Sequence, residues 1–134
     1  MSLYETLLVL HVLAAFLLVA GVVCYGVIVS ASGGEAARQV LAATASVLWN
    51  VGGVGVLILG IWLAIDADRY EIWDAWIVVA IVLWLVASAA GGPLSRGLRE
   101  GPEAFPARRA RVLFAVAAVA TAALLADMIF KPGA

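Results

Sequence analysis

An all-α membrane fold, an antiparallel bundle of four transmembrane helices, is predicted by three features of this chain. Residues 6–34, 39–65, 75–95 and 112–130 are strongly apolar runs, and the single formally charged residue within them is Asp127. Each run reaches the roughly 20 helical residues that bilayer hydrocarbon requires, and a helix satisfies its own backbone N–H and C=O groups there. Next, 66% of the residues are hydrophobic and 13% charged, too few polar groups to clothe four such helices in water. Finally, the charges collect in the short segments between the runs. Residues 1–134 are therefore read as one domain.

The first helix is expected over residues 3–30. Its apolar run is too long for the core of a signal peptide and residues 1–5 carry no Lys or Arg, so the small residues Ser30-Ala31-Ser32 are not read as a cleavage site. Gly33-Gly34 supplies the stop. The second helix spans about 39–65, and the short link from Ile65 to Trp73 makes it an antiparallel hairpin with the third. The third is placed at 72–92, ended by Gly91-Gly92-Pro93, where glycine favours a C-cap and proline does not continue the turn. The stretch from Leu94 to Ala107, with Pro102 and Pro106, reads as the longest polar connection and the most mobile. The fourth helix follows at 109–130. Trp62, Trp73 and Trp76 fall at the ends of the second and third helices, where an interfacial aromatic belt belongs, while Trp49 and Trp84 lie deeper.

Charge sets the expected orientation. Arg38 lies between the first two helices and Arg96, Arg99, Arg108, Arg109 and Arg111 between the last two, whereas only Arg69 and Lys131 lie on the opposite side. The positive-inside rule then puts the arginines in the cytoplasm and both termini outside. The five-arginine cluster also suits anionic lipid head groups, at about 1 kcal/mol per side chain near the surface. On the other side Asp66, Asp68, Glu71 and Asp74 make an acidic loop that lacks the glycine and terminal glutamate of a calcium-binding hand. A net charge of −1 gives no sign of a nucleic-acid partner.

Small residues map the expected packing faces. His11, Ala14, Leu18, Gly21 and Tyr25 share one face of the first helix, and Trp49, Gly53, Val56 and Gly60 one face of the second, with Gly52 and Gly55 widening it. Helices in lipid associate through close contact at such positions, within the bundle or across a subunit boundary. Asn50, near the middle of the second helix, is expected to bond across helices.

Few side chains offer chemistry. His11 is the only histidine, about eight residues and so roughly 12 Å inside the first helix. Ionisable groups at that depth turn toward protein or water, so His11 is either a bonded packing residue or a ligand for haem, a metal ion or a proton. Asp127 lies about one turn from the end of the fourth helix and four residues before Lys131, a spacing that favours an ion pair. The same depth in the outer half also allows a joint site with His11. Cys24 is the only cysteine, which excludes an intrachain disulfide and a thiolate cluster and leaves a packing role. Hydrolase and zinc motifs are absent. Gly53-Val54-Gly55 with Gly60 sits inside a membrane helix with no preceding strand, so it is not a nucleotide fingerprint.

Leu10-His11-Val12-Leu13-Ala14-Ala15 followed by Gly21 resembles the first helix of small bacterial membrane proteins in the CopD and HemJ grouping. Gly53, Gly55, Leu57, Gly60 and Trp62-Leu63-Ala64, the Gly91-Gly92-Pro93 segment and Met128-Ile129-Phe130-Lys131-Pro132 resemble more closely an uncharacterised four-helix family without an established activity. The wider grouping implies copper movement or haem-linked oxidation, and a location in the bacterial inner membrane. Its oxidase pattern pairs a first-helix histidine, matched by His11, with a third-helix lysine, which residues 72–92 lack.

The leading expectation is a non-enzymatic integral membrane protein, a homo-oligomer or accessory subunit of a larger membrane complex, in contact with the lipid bilayer and without a cofactor. The alternatives are a haem b, metal-ion or proton site at His11 and Asp127, and a HemJ-like oxidoreductase.

Overall fold

The computed structural model describes residues 2–30, 34–66, 75–100 and 106–130. They form four helices, α1 (Leu3–Ser30), α2 (Glu35–Asp66), α3 (Ala75–Glu100) and α4 (Ala107–Phe130), with no strand among the described residues. All four are long and apolar enough to cross a membrane. Large apolar side chains on their outer faces, such as Phe16, Val40, Val119 and Ile129, are more than three-fifths exposed. That pattern matches a bundle whose outside meets hydrocarbon rather than water.

The first helix begins on a capping box that Ser2-Leu3-Tyr4-Glu5 encodes. The Glu5 N–H donates to Ser2 Oγ at 3.1 Å and the Ser2 N–H to Glu5 Oε2 at 3.2 Å, so two orphan donors are satisfied reciprocally. α2 starts earlier than expected, with Arg38 N–H donating to the Gly34 carbonyl at 3.0 Å. α4 likewise begins at Ala107, its first turn closed by the Ala110 N–H on the Pro106 carbonyl at 3.1 Å.

The largest departure is α3, which runs through Gly91-Gly92-Pro93 to Glu100 instead of ending there. Pro93 lacks an N–H and forfeits one helical bond, a loss that membrane helices tolerate when neighbours hold the segment. Here Ala90, Leu94 and Leu98, four apart on one face, are all at most 6% exposed. Burial of that continued stripe outweighs the local helix-breaking signal, and the polar connection between helices shortens accordingly. Asp68, Arg69, Glu71, Trp73 and Asp74 of the link between α2 and α3, together with Pro102 and Lys131, lie outside the described residues.

Packing follows chain order around a ring: α1 on α2, α2 on α3, α3 on α4 and α4 back on α1, with no close backbone approach between diagonal helices among the described residues. Two pairs, α1 with α2 and α3 with α4, are packed extensively, and the two remaining seams are sparse. The α1–α2 crossing is tight because glycines meet backbone. A Cβ on Gly21 would lie 2.8 Å from the Trp49 nitrogen, and one on Gly52 would collide with the Leu18 nitrogen and lie 2.8 Å from the Ala14 carbonyl oxygen. Gly55 faces Ala14 and Gly60 faces His11. Positions therefore fall along α1 as they rise along α2, so these two helices run in opposite senses.

Two tryptophans fasten the sparser α2–α3 seam. Trp84 on α3 donates its indole N–H to the Gly53 carbonyl on α2 at 2.8 Å. Trp49 on α2 lays its indole against Gly91 on α3, where a Cβ would approach Cε2 and Cζ2 to 2.5 Å. The Trp49 ring also meets Tyr25 of α1 edge-to-face, with centroids 6.1 Å apart and planes at 66°. Gly91 is thus a berth for an indole and not a helix terminus, while Gly92 has nothing within 4 Å of its Cβ position.

Candidate functional site

The sparse seams between the two tight pairs open into a cavity of about 420 Å³ walled by all four helices. His11 and Phe16 line it from α1, Gly60 from α2, Trp76 and Trp84 from α3, and Met128 from α4. No Asp, Glu, Lys or Arg is among the described residues of the wall, whose polar side chains are His11, Tyr4 and the two tryptophans. Phe16 is 68% exposed and Ile129, also on the wall, 74%, so the cavity reaches the lipid-facing side of the bundle. Its size falls within the roughly 300–1,000 Å³ of small-molecule sites.

His11 enters this wall through a feature of α2. A residue on a helix normally covers the turn before it, so glycine at position 60 uncovers the carbonyl four residues earlier. The imidazole lies over that gap, with Cε1 3.1 Å and Nδ1 3.6 Å from a Cβ placed on Gly60, and it hydrogen-bonds the backbone at Val56. A carbonyl has two lone pairs and accepts this bond beside its helical one. Nδ1 is shielded and has no hydrogen-bond partner of good geometry among the described residues. The Met128 methyl also approaches the Gly60 position, at 3.8 Å, so α1, α2 and α4 converge there.

Asp127 is in the same half of the bundle, since its neighbour Met128 shares the Gly60 contact with His11. It is 7% exposed and neither carboxylate oxygen has a hydrogen-bond partner among the described residues. No direct bond therefore joins Asp127 to His11. The expected partner Lys131 is outside the described residues. Thr121, two turns earlier on α4, is 3% exposed and its hydroxyl is likewise unpartnered.

Asn50 departs from expectation. Its amide donates to the Ser46 carbonyl at 2.8 Å and to Ser46 Oγ at 3.3 Å, four residues back on its own helix, and not across helices. Thr44 does the same with the Val40 carbonyl at 2.9 Å. Where hydrocarbon offers no partner, the nearest acceptor for a short polar side chain is the preceding turn. Tyr25 is at the core, 1% exposed, as its packing face implied, and Cys24 packs partly buried against the same cluster. Gly53 is buried, but a Cβ there meets only Leu18 Cδ1 and Trp84 Nε1, both at 3.8 Å. The close helix approach belongs to Gly52 and Gly21, and the contribution of Gly53 is its carbonyl.

At the opposite end, Gly26 of α1 sits against Phe114 of α4, and there Arg96, Arg108, Arg109 and Arg111 are exposed around the end of α3 and the start of α4. Nothing is described of the Arg99 side chain. Trp62 is 49% exposed, whereas Trp76 is buried at 8% and belongs to the cavity.

Haem or copper, as the CopD and HemJ resemblance implies, fits this wall poorly. Among its described residues it has one imidazole and one thioether, and no cation to pair with haem propionates. No three His, Cys, Asp or Glu side chains gather to hold a metal among the described residues. α3 has no lysine anywhere along its length. No protein-family model matches the chain, and neither a curated protein nor a solved structure shows a significant similarity to it.

Proposed function

We propose that this multi-pass membrane protein is a non-enzymatic binding protein, a homo-oligomer or accessory subunit, that takes up an uncharged lipophilic molecule from the bilayer. The observation that carries the reading is the apolar cavity of about 420 Å³ between four helices, lined by His11 and with no charged side chain among its described residues. A ligand there exchanges one hydrocarbon environment for another, so shape and a few hydrogen bonds decide affinity, as in helix association within lipid. Its placement in the bacterial inner membrane, with both termini outside, follows from the resemblance and from the arginine end of the bundle. In that orientation the cavity lies in the outer half.

Retention of a native molecule tests the reading. Protein extracted in mild detergent should carry a lipophilic compound that organic solvent releases in near-stoichiometric amount. Ile61→Trp, which adds bulk to the wall, should deplete it. An extract indistinguishable from a detergent blank, in wild type as in variant, would leave the cavity without a role.

A further inference from the structure

Asn50 sits where hydrocarbon serves it badly. It stands at the midpoint of α2 (Glu35–Asp66), about 23 Å from either end, and its side chain is exposed. Both of its hydrogen bonds run from Nδ2 to Ser46, the second a long 3.3 Å contact with the hydroxyl, and Oδ1 accepts from no donor among the described residues. An amide oxygen without a donor is costly in the middle of a bilayer.

The exposed residues around it form a seam. Val40, Val47 and Val54 recur every seven residues at 68%, 61% and 49% exposure, with Ala43 and Asn50, also exposed, three residues after the first two. That is the a/d spacing of a left-handed helix pair. No described part of the chain covers it, because α1 and α3 meet other sides of α2, at Ala45, Trp49, Gly52 and Gly53. Residues 39–65 carry no charge, so no ion pair on this face selects a foreign partner.

We infer that α2 pairs along this seam with α2 of a second copy of the chain, Asn50 meeting Asn50. Copies insert in the membrane in one orientation, so a two-fold axis along the membrane normal lays the two helices parallel and brings each seam residue onto its counterpart. A carboxamide is its own complement: each Oδ1 accepts from the other copy's Nδ2, which gives up its long contact with Ser46 Oγ. The inference rests on the homo-oligomer proposed above and not on the cavity's ligand.

Cross-linking in native membranes tests the seam. With Cys24→Ser as background, Val47→Cys should form a covalent dimer under a membrane-permeant oxidant, and Val119→Cys, similarly exposed on α4, should not. Purified wild type should sediment as a dimer in mild detergent. Asn50→Ala should weaken that association by about threefold to thirtyfold, the factor that interhelical hydrogen bonds supply in lipid, and Asn50→Gln should restore part of it. If Asn50→Ala does not fold, the cross-linking and the sedimentation of wild type decide. A dimer that Val47→Cys does not lock, a cross-link from Val47→Cys to a different protein, or a dimer as tight in Asn50→Ala as in wild type overturns the inference. A monomer does so too, and leaves the amide to a water in the recess of about 40 Å³ that Asn50 borders with Ser88 of α3. Retention of a lipophilic compound is read on the same samples, so a monomer that holds one overturns the interface alone.

Discussion

Gly52→Ala is the most direct perturbation of this fold, because the added methyl meets backbone on every side. A Cβ at that position collides with the Leu18 nitrogen and lies 2.8 Å from both the Ala14 carbonyl oxygen and the Leu18 Cα. Reaching the 3.4 Å of ordinary contact with those last two atoms requires α1 and α2 to part by about 0.6 Å. Neither helix yields by rotating a side chain, so the shift propagates along the interface to Gly21 and Trp49. Overpacking of this kind typically costs about 1–3 kcal/mol, and rigid neighbours place Gly52→Ala at the upper end. The adjacent Gly53→Ala is the internal control. Its Cβ meets only two side-chain atoms at 3.8 Å, and the gain in helix propensity is about 0.5–1 kcal/mol. Thermal unfolding followed by circular dichroism in one detergent should therefore rank Gly53→Ala at or above wild type and Gly52→Ala well below it. A Gly52→Ala protein as stable as wild type would refute the close crossing and the register on which the cavity depends.

Other substitutions probe the seams and the polar groups. Gly91→Ala should displace the Trp49 indole, lowering stability by about 1–3 kcal/mol and shifting tryptophan emission, whereas Gly92→Ala should do neither; matching behaviour of the two variants would contradict the indole berth. Trp84→Phe removes the bond to the Gly53 carbonyl and should cost about 0.5–1.5 kcal/mol in the same melting assay, with no loss counting against that bond. Asp127→Asn keeps the shape and removes the carboxylate, so it should leave stability unchanged or raised, since neither oxygen has a partner among the described residues to lose. A clear drop in its melting temperature would reveal a partner for that carboxylate. With Cys24→Ser as background, a cysteine placed at Ser2 should react with an impermeant thiol reagent on intact cells; labelling only after the membrane is broken would reverse the proposed orientation.

Length and polarity alone sufficed for the four helices, because the need to satisfy backbone groups in hydrocarbon leaves a long apolar run no other conformation. The bounds of α1 were legible for the same reason, and the Ser2–Glu5 pattern encodes the capping box that opens it. The packing faces were also legible: Ala14, Leu18, Gly21 and Tyr25 are buried as their spacing implies. What failed were inferences from single residues whose effect depends on a neighbour distant in sequence. Pro93 reads as a stop until Leu94 and Leu98 are seen buried, Gly91 as a cap until the Trp49 ring is seen against it, and Asn50 as a bridge within the bundle until Ser46 is seen to accept from it. Gly52 and Gly53 cannot be ranked from a helical wheel, since a small difference in angle separates backbone collision from ordinary contact. The cavity itself was invisible in the sequence. It exists because two helix pairs pack tightly and their mutual seams do not, a balance of interhelical contacts that no local pattern encodes, and tertiary structure alone turned His11 from a buried ionisable residue into one wall of a site.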